Sequence, residues 1–94
     1  MTPLMAAAYW NTPKVVQSLL KAGANIHARD KDGKTALMWS VAGTKYPEVI
    51  AALLDAGANI RTKDKDGRKA LDFARMNKKL KNEGIIDRLK RNRL

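Results

Sequence analysis

Two short acidic turns are the segments of this 94-residue chain that could bind a metal ion. Asp30–Gly33 and Asp64–Gly67 both read Asp-Lys-Asp-Gly, and alternating carboxylates of this kind are the ligands that Ca²⁺ prefers. A calcium loop of the helix–loop–helix type also needs an acidic residue two positions earlier and a bidentate Glu near its end. Ala28 and Thr62 occupy the earlier position in the two turns, and Trp39 and Phe73 occupy the position of the Glu. The pattern therefore predicts tight polar turns, which Asp and Gly favour, and no metal.

The single histidine, His27, is the other candidate for chemistry, as a general base. A base needs a nucleophile or a positioned acid within hydrogen-bond reach, and the sequence offers no such constellation. Arg61 occupies the equivalent position later in the chain, which indicates that the site tolerates different side chains. The absence of cysteine excludes disulfides, thiolate metal sites and thiol nucleophiles, and it fits a reducing compartment. We therefore predict a protein that is not an enzyme and has no cofactor.

Both candidates lie in a block of sequence that occurs twice. Gly23–Gly33 returns as Gly57–Gly67 with an offset of 34 residues. A period in this range is typical of a stacked solenoid, in which each unit buries its apolar face against its neighbours. Function is then expected on a surface and not in a pocket.

A helix precedes each copy of the repeated block. In the first unit Thr12 is predicted to cap it, Pro13 to take the first helical position and Gly23 to end it in a left-handed conformation. Apolar residues between them fall at i, i+1, i+4 and i+5, which is one stripe of a helix. The same stripe lies between Pro47 and Gly57.

The combined pattern resembles the ankyrin repeat. The matching pieces are Thr2–Leu4 and Thr35–Leu37, which open a shorter first helix, the Val/Ile-x-x-Leu-Leu stripes, Gly-Ala-Asn-Ile, and the Asp-x-x-Gly tips. The resemblance implies an all-α solenoid of about three helix-turn-helix units joined by finger loops with β-turns. We expect a truncated first repeat at 1–33, a full second repeat at 34–67 and a C-terminal capping repeat at 68–94.

The sequence departs from the family pattern inside the repeats. The usual His after Thr-Pro-Leu is replaced by Met5, Met38 and Asp72, so the polar network that it supports is expected to be absent or rebuilt. One extra residue between the helices of the second unit predicts a bulge at Gly43–Lys45. Lys90 stands where the earlier stripes have Leu, as a terminal cap requires.

The start of the chain raises a separate expectation. The finger and any capping unit that should precede the first helix are missing. We expect either a fragment of a longer array or apolar surface exposed on the first helix pair, including some of Met5, Ala8 and Val16.

By resemblance the chain is a protein-binding module that uses a concave face. The predicted contacts at the finger tips are Lys31, Asp32, Lys34, Lys65, Asp66 and Arg68, and those at the ends of the first helices are Tyr9, Trp10, Ala42, Gly43, Met76 and Asn77. Tyr9 and Trp10 could be aromatic anchors for a partner, or Trp10 could fold back over the helix pair. Trp39 and Phe73 are expected in the core.

The net charge of +10 favours an acidic protein partner. It also leaves an alternative open, because Arg75–Leu94 holds eight basic and two acidic residues and could bind nucleic acid or an anionic membrane surface. That segment lacks the interleaved aromatic residues that stack on bases. Self-association through the first repeat is a third possibility. The sequence shows no membrane-spanning run and no signal peptide, so we expect a cytoplasmic protein.

Overall fold

Three helix pairs follow one another along the chain in a computed structural model that describes residues 1–10, 12–43, 48–78, 80 and 83–90. The helices are α1 (Pro3–Tyr9), α2 (Pro13–Lys21), α3 (Ala36–Gly43), α4 (Glu48–Asp55), α5 (Ala70–Met76) and α6 (Glu83–Lys90). No strand occurs in the described residues. The structure confirms the prediction of an all-α repeat solenoid.

The helices form two layers. α1, α3 and α5 pack side by side in the first layer, and each also packs against the helix that follows it in the chain. In the second layer α2 packs against α4, and Arg88 Nη2 of α6 donates a hydrogen bond to Asp55 Oδ1 of α4 at 2.9 Å. Because a unit contacts its neighbours through both layers, equivalent residues of successive units lie in rows along the stack.

The helix termini follow the predicted signals with one correction. Thr2 caps α1, since its hydroxyl accepts a hydrogen bond from the Met5 N–H at 3.2 Å. Gly23 ends α2 with a φ of +90°, which only glycine adopts without strain. Thr12 stands at the N-cap position of α2, but its side chain makes no capping bond there and instead donates to the Ala7 carbonyl at 3.0 Å.

The residues that replace the family's usual His are accommodated differently in the three units. The Met5 sulfur accepts a hydrogen bond from the Thr2 N–H at 3.5 Å, and Asp72 Oδ2 accepts one from the Lys69 N–H at 2.8 Å. Met38 is buried, and its own N–H donates to the Thr35 hydroxyl at 3.4 Å. The replacing side chain therefore accepts a local hydrogen bond from the N-cap N–H at the first and third helix starts.

A single apolar core runs through all three repeats. Met5, Ala8 and Val16 belong to it and are buried, so the expectation that some of them would be exposed is wrong. The exposed apolar side chain of the second layer is Val15, at 49% of its surface. Val15 and Val16 lie on the two edges of the apolar stripe of α2. The neighbouring repeat covers the edge with Val16 and leaves the edge with Val15 exposed.

The last helix and two connections complete the comparison with the sequence. Lys90 is exposed, while Ile85 and Leu89 on the same helix are buried. Of the bulge predicted at Gly43–Lys45, Gly43 is the last residue of α3, and Thr44 and Lys45 lie outside the described residues. Lys79, Lys81, Arg91 and Arg93 of the basic segment also lie outside them. Within the described part of the chain, no helix is both long and apolar enough to cross a membrane.

Candidate functional site

The two fingers are loops of the same construction, the first at residues 28–34 and the second at residues 62–68. Asp30 Oδ1 accepts hydrogen bonds from the N–H groups of Asp32 and Lys34, both at 2.9 Å. Asp64 Oδ1 accepts the equivalent pair from Asp66 and Arg68 at the same distances. Each turn is thus held by its own first carboxylate, and the prediction of tight polar turns is confirmed.

The second oxygen of each carboxylate has a different partner. Asp30 Oδ2 accepts a hydrogen bond from the Trp39 indole Nε1 at 3.0 Å, whereas Asp64 Oδ2 pairs with Arg68 Nε at 3.2 Å. Burial acts to raise the pKa of both carboxyls, but the backbone hydrogen bonds, together with Trp39 and Arg68 respectively, hold each pKa below its ordinary value. Both groups are therefore structural carboxylates that stay ionised at neutral pH.

Three contacts that we call the finger clasp join the two fingers to each other, and a fourth, within the first finger, holds the Arg29 side chain in place. The Lys65 N–H donates to the Asp32 carbonyl at 2.9 Å, and the Lys65 ammonium lies 2.9 Å from Asp32 Oδ1. That carboxylate raises the pKa of Lys65. The guanidinium of Arg29 donates to the Lys63 carbonyl at 2.6 Å and to the Gly33 carbonyl at 3.2 Å, so it spans both fingers.

A series of cation–aromatic contacts connects the fingers to the first layer. The Lys34 ammonium lies 5.0 Å from the Trp39 ring centroid and 5.7 Å from that of Phe73, and the Arg68 guanidinium lies 5.0 Å from Phe73. Phe73 is buried as predicted, but Trp39 is only half-buried because its indole reaches the finger. Sequence reasoning missed this link. The signal for it is a basic residue after each finger glycine with an aromatic residue five positions later.

The predicted contacts on the first helices come together at the C-terminal ends of α1, α3 and α5. Two sets of equivalent positions form this helix-end row, which consists of Tyr9, Ala42 and Met76 together with Trp10, Gly43 and Asn77. A Cβ atom added to Gly43 would lie 2.7 Å from the Tyr9 ring, so that ring rests directly on the α3 backbone. The Asn77 amide donates to the Val41 carbonyl at 2.8 Å and fixes the end of α5 against α3.

The bulky side chains of the helix-end row are exposed. Trp10 has 72% of its surface exposed and Met76 has 56%, while Tyr9 has 37%. The Trp10 ring stands edge-on to Tyr9 with centroids 5.2 Å apart, and Tyr9 in turn meets Trp39 edge-on at 5.5 Å. With so much of its ring in solvent, Trp10 does not fold back to cover the helix pair.

The finger tips and the helix-end row are two groups that Trp39 connects, since its ring lies beside both Lys34 and Tyr9. The tips lie before the N-terminal ends of first-layer helices, and the row lies at their C-terminal ends, about 12 Å away for a helix of eight residues. His27 belongs to neither group, since it is exposed and its N–H bonds to the Asn25 side chain at 2.9 Å. Among the described residues, no cluster of three or more His, Cys, Asp or Glu side chains could hold a metal ion.

Comparison with known families agrees with this architecture. A family model described as "Ankyrin repeats (3 copies)" matches residues 4–90. Proteins of this family generally mediate protein–protein interactions and are typically not enzymes. The two-layered stack of helix pairs, the fingers with their Asp-Gly turns and the match over nearly the whole sequence lead to one conclusion: the chain belongs to the ankyrin repeat family.

Proposed function

We propose that this chain is a non-enzymatic binding module whose finger tips and helix-end row form one face for an acidic protein partner. The observation that carries the proposal is the register of the stack. Contacts such as Asn77–Val41 and Lys65–Asp32 hold candidate residues of different repeats at fixed relative positions. A face that is ordered before binding costs less conformational entropy when a partner binds.

The charge of the chain supports an acidic partner. Lys and Arg number 19 against nine Asp and Glu, and Asp30, Asp32, Asp64 and Asp66 already bind groups of the chain itself. A positive surface attracts an acidic partner and mainly raises the association rate. We expect this rate to fall steeply as salt is added.

Site-specific photo-crosslinking in the source cell tests the proposal. A photoreactive amino acid at Lys78, exposed beside the helix-end row, or at Lys31, at the finger tips, samples the proposed face, and the same amino acid at Gln17, exposed on α2, is the matched control. We expect crosslinks to an acidic segment of a partner protein from the first two positions and none from the third. Equal crosslinking at Gln17 would contradict the proposal.

The exposed edge of α2 favours self-association as a second candidate function. Val15 is half exposed, whereas the equivalent Val49 on α4 is fully buried, so a further apolar surface could cover α2. Sedimentation equilibrium over a concentration series tests this, and Val15→Ser should abolish any dimer that it detects. A monomer at high concentration would exclude self-association.

Binding of nucleic acid or of an anionic membrane surface has less support. Arg88 in the basic C-terminal segment is paired with Asp55, so at least one charge is used within the fold. The test is binding to mixed nucleic acid and to anionic vesicles against salt, before and after Lys90, Arg91 and Arg93 are neutralised. If no binding is detected at any salt concentration, this candidate function is excluded.

A further inference from the structure

We propose, building on the proposed function, that the helix-end row is the part of the face that contacts the partner, and that its occupant is a peptide segment whose apolar side chains are flanked by carboxylates. The finger tips then act as a clasp that holds the repeats together. The inference rests on what each group of side chains already binds, on the shape of the row and on the charges around it.

The finger charges are largely used within the chain. Asp32 pairs with Lys65, and Arg68 pairs with both Asp64 and Asp66. Lys34 lies over the Trp39 and Phe73 rings. Of the predicted tip residues, Lys31 is the one whose side chain makes no hydrogen bond, ion pair or ring contact with the described residues. A partner that pairs with the other tip charges would compete with these internal contacts.

The helix-end row offers the opposite arrangement, with large apolar side chains exposed to solvent. Tyr9, Ala42 and Met76 are equivalent positions, so the row reads large, small, large along the stack. Trp10 and Tyr9 form one wall and Met76 the other, while the exposed Ala42 lies between them. Because Ala42 ends in a single methyl group and is exposed beside the Tyr9 ring, an apolar side chain of a partner can contact both residues there.

The side chains of this row are of the types that anchor protein interfaces. Trp and Tyr contribute most often to the few contacts that dominate binding energy. Met76 adds a flexible, polarisable side chain that adjusts to the shape of its partner. Exposed apolar area of this kind favours an apolar occupant.

The surroundings of the row are basic. Arg75 and Lys78 are exposed beside Met76, and neither forms an ion pair with the described residues. These two positive charges complement carboxylates that lie next to an apolar anchor in the occupant.

Selection from a random peptide display library, with the full chain as bait, tests the inference. We expect the enriched peptides to combine aromatic or aliphatic residues with adjacent Asp or Glu. A synthetic peptide from the enriched pool is then titrated against variants by fluorescence anisotropy. Trp10→Ala, Met76→Ala and Ala42→Gln should each weaken its binding by about tenfold or more.

Two matched controls separate the row from other surfaces. Val15→Ala removes an exposed apolar side chain from α2, and Lys31→Ala removes a free charge from the tips. Both should keep the affinity within about twofold of the unmodified chain, because neither side chain touches the row. Circular dichroism and thermal melts must show the same fold for all five variants.

Each contrary outcome has a distinct meaning. Peptide binding that depends on Lys31 and Asp66 but not on Trp10 would overturn the inference and leave the proposed function standing. Enriched peptides without acidic or without apolar residues would also overturn it. A dimer that Trp10→Ala dissociates would show that a second copy occupies the row. If no peptide is enriched over an unrelated bait, the inference fails, and the crosslinking experiment decides the proposed function separately.

Discussion

The first and second fingers have nearly the same sequence and the same turn, yet they differ in what lies beside them. Gly33 and Gly67 share a φ of +79°. A Cβ atom on Gly33 would lie 3.0 Å from the Lys65 backbone nitrogen, whereas no described atom lies within 4 Å of a Cβ on Gly67. The turn itself requires positive φ at both glycines. Stacking adds a second requirement at Gly33 alone, where the neighbouring finger leaves little space for a side chain.

The two carboxylates extend the comparison. Asp64 is 5% exposed and bonds within its own finger, while Asp30 is half-buried and bonds to the first layer through Trp39. The first finger is thus bonded both to the second finger and to the first helix layer, whereas the second finger relies more on contacts within itself.

Acid should have the largest effect, because it acts on both fingers together. Since the folded pKa of Asp30 and of Asp64 lies below the ordinary carboxyl value, the unfolded chain binds more protons and stability rises with pH. Their contribution is complete above about pH 4 and is lost as the pH falls through the folded pKa values. Full protonation also leaves the 19 Lys and Arg charges without balancing carboxylates.

Urea unfolding from neutral to acid pH measures this loss of stability. The double variant Asp30→Asn, Asp64→Asn keeps an acceptor oxygen in each turn and removes both titrating groups. Its stability should change less with pH than that of the unmodified chain. An unchanged pH dependence in the double variant would show that other carboxyls are responsible.

Removing one finger carboxylate at a time should rank the two fingers. Asp64→Ala leaves two backbone N–H groups and the Nε of Arg68 without their acceptor at a buried position, and we expect a loss of about 3 kcal/mol in unfolding free energy. Asp30→Ala should cost about 2 kcal/mol, because its site is more open to water. Asp66→Ala, at an exposed pair, should cost about 0.5 kcal/mol and is the control. A larger loss for Asp30→Ala would mean that the Trp39 bond outweighs burial.

The two glycines give the most direct comparison. Gly67→Ala places a side chain at positive φ in open space and should cost about 1 kcal/mol. Gly33→Ala adds a close approach to the Lys65 backbone, and we expect about 2 kcal/mol in total. Chemical denaturation of the two variants measures the difference. Equal losses in the two variants would indicate that the second finger can move away from a side chain at position 33 without a loss of stability.

The smallest effect is expected at the exposed ion pair of the clasp. Lys65→Ala removes the pair with Asp32 but leaves the backbone hydrogen bond between the same two residues. The loss should be about 0.5 kcal/mol at low salt and should decrease as salt is added. Asp32→Ala should give the same value, and a double-mutant cycle would show whether the two losses arise from one contact.

Much of the fold could be predicted from the sequence because its signals are local. The Thr2 cap, the left-handed Gly23 and the turn at Asp30 each depend on residues within a few positions. The repeat then places equivalent residues in rows. For that reason the six candidates at the helix ends were predicted as a group, and the structure brings them together.

Contacts between units could not be predicted in the same way. Arg29 bonds to the Lys63 carbonyl, and the position of a carbonyl depends on how closely the repeats stack and not on the residue type. The exposure of Val15 instead of Val16 was missed because periodicity defines a stripe and not which of its edges a neighbour covers. Such contacts decide which charges are free to bind a partner.

The clasp has a consequence for how such a protein can change. Two hydrogen bonds of the clasp reach the backbone of the second finger. The Arg29 guanidinium donates to the Lys63 carbonyl, and the Asp32 carbonyl accepts from the Lys65 N–H. Backbone groups are the same for nearly every amino acid, so position 63 can mutate without loss of the link. A repeat can therefore be exchanged for one with another surface while its neighbour still recognises it, which leaves side chains such as Trp10 and Met76 free to diversify.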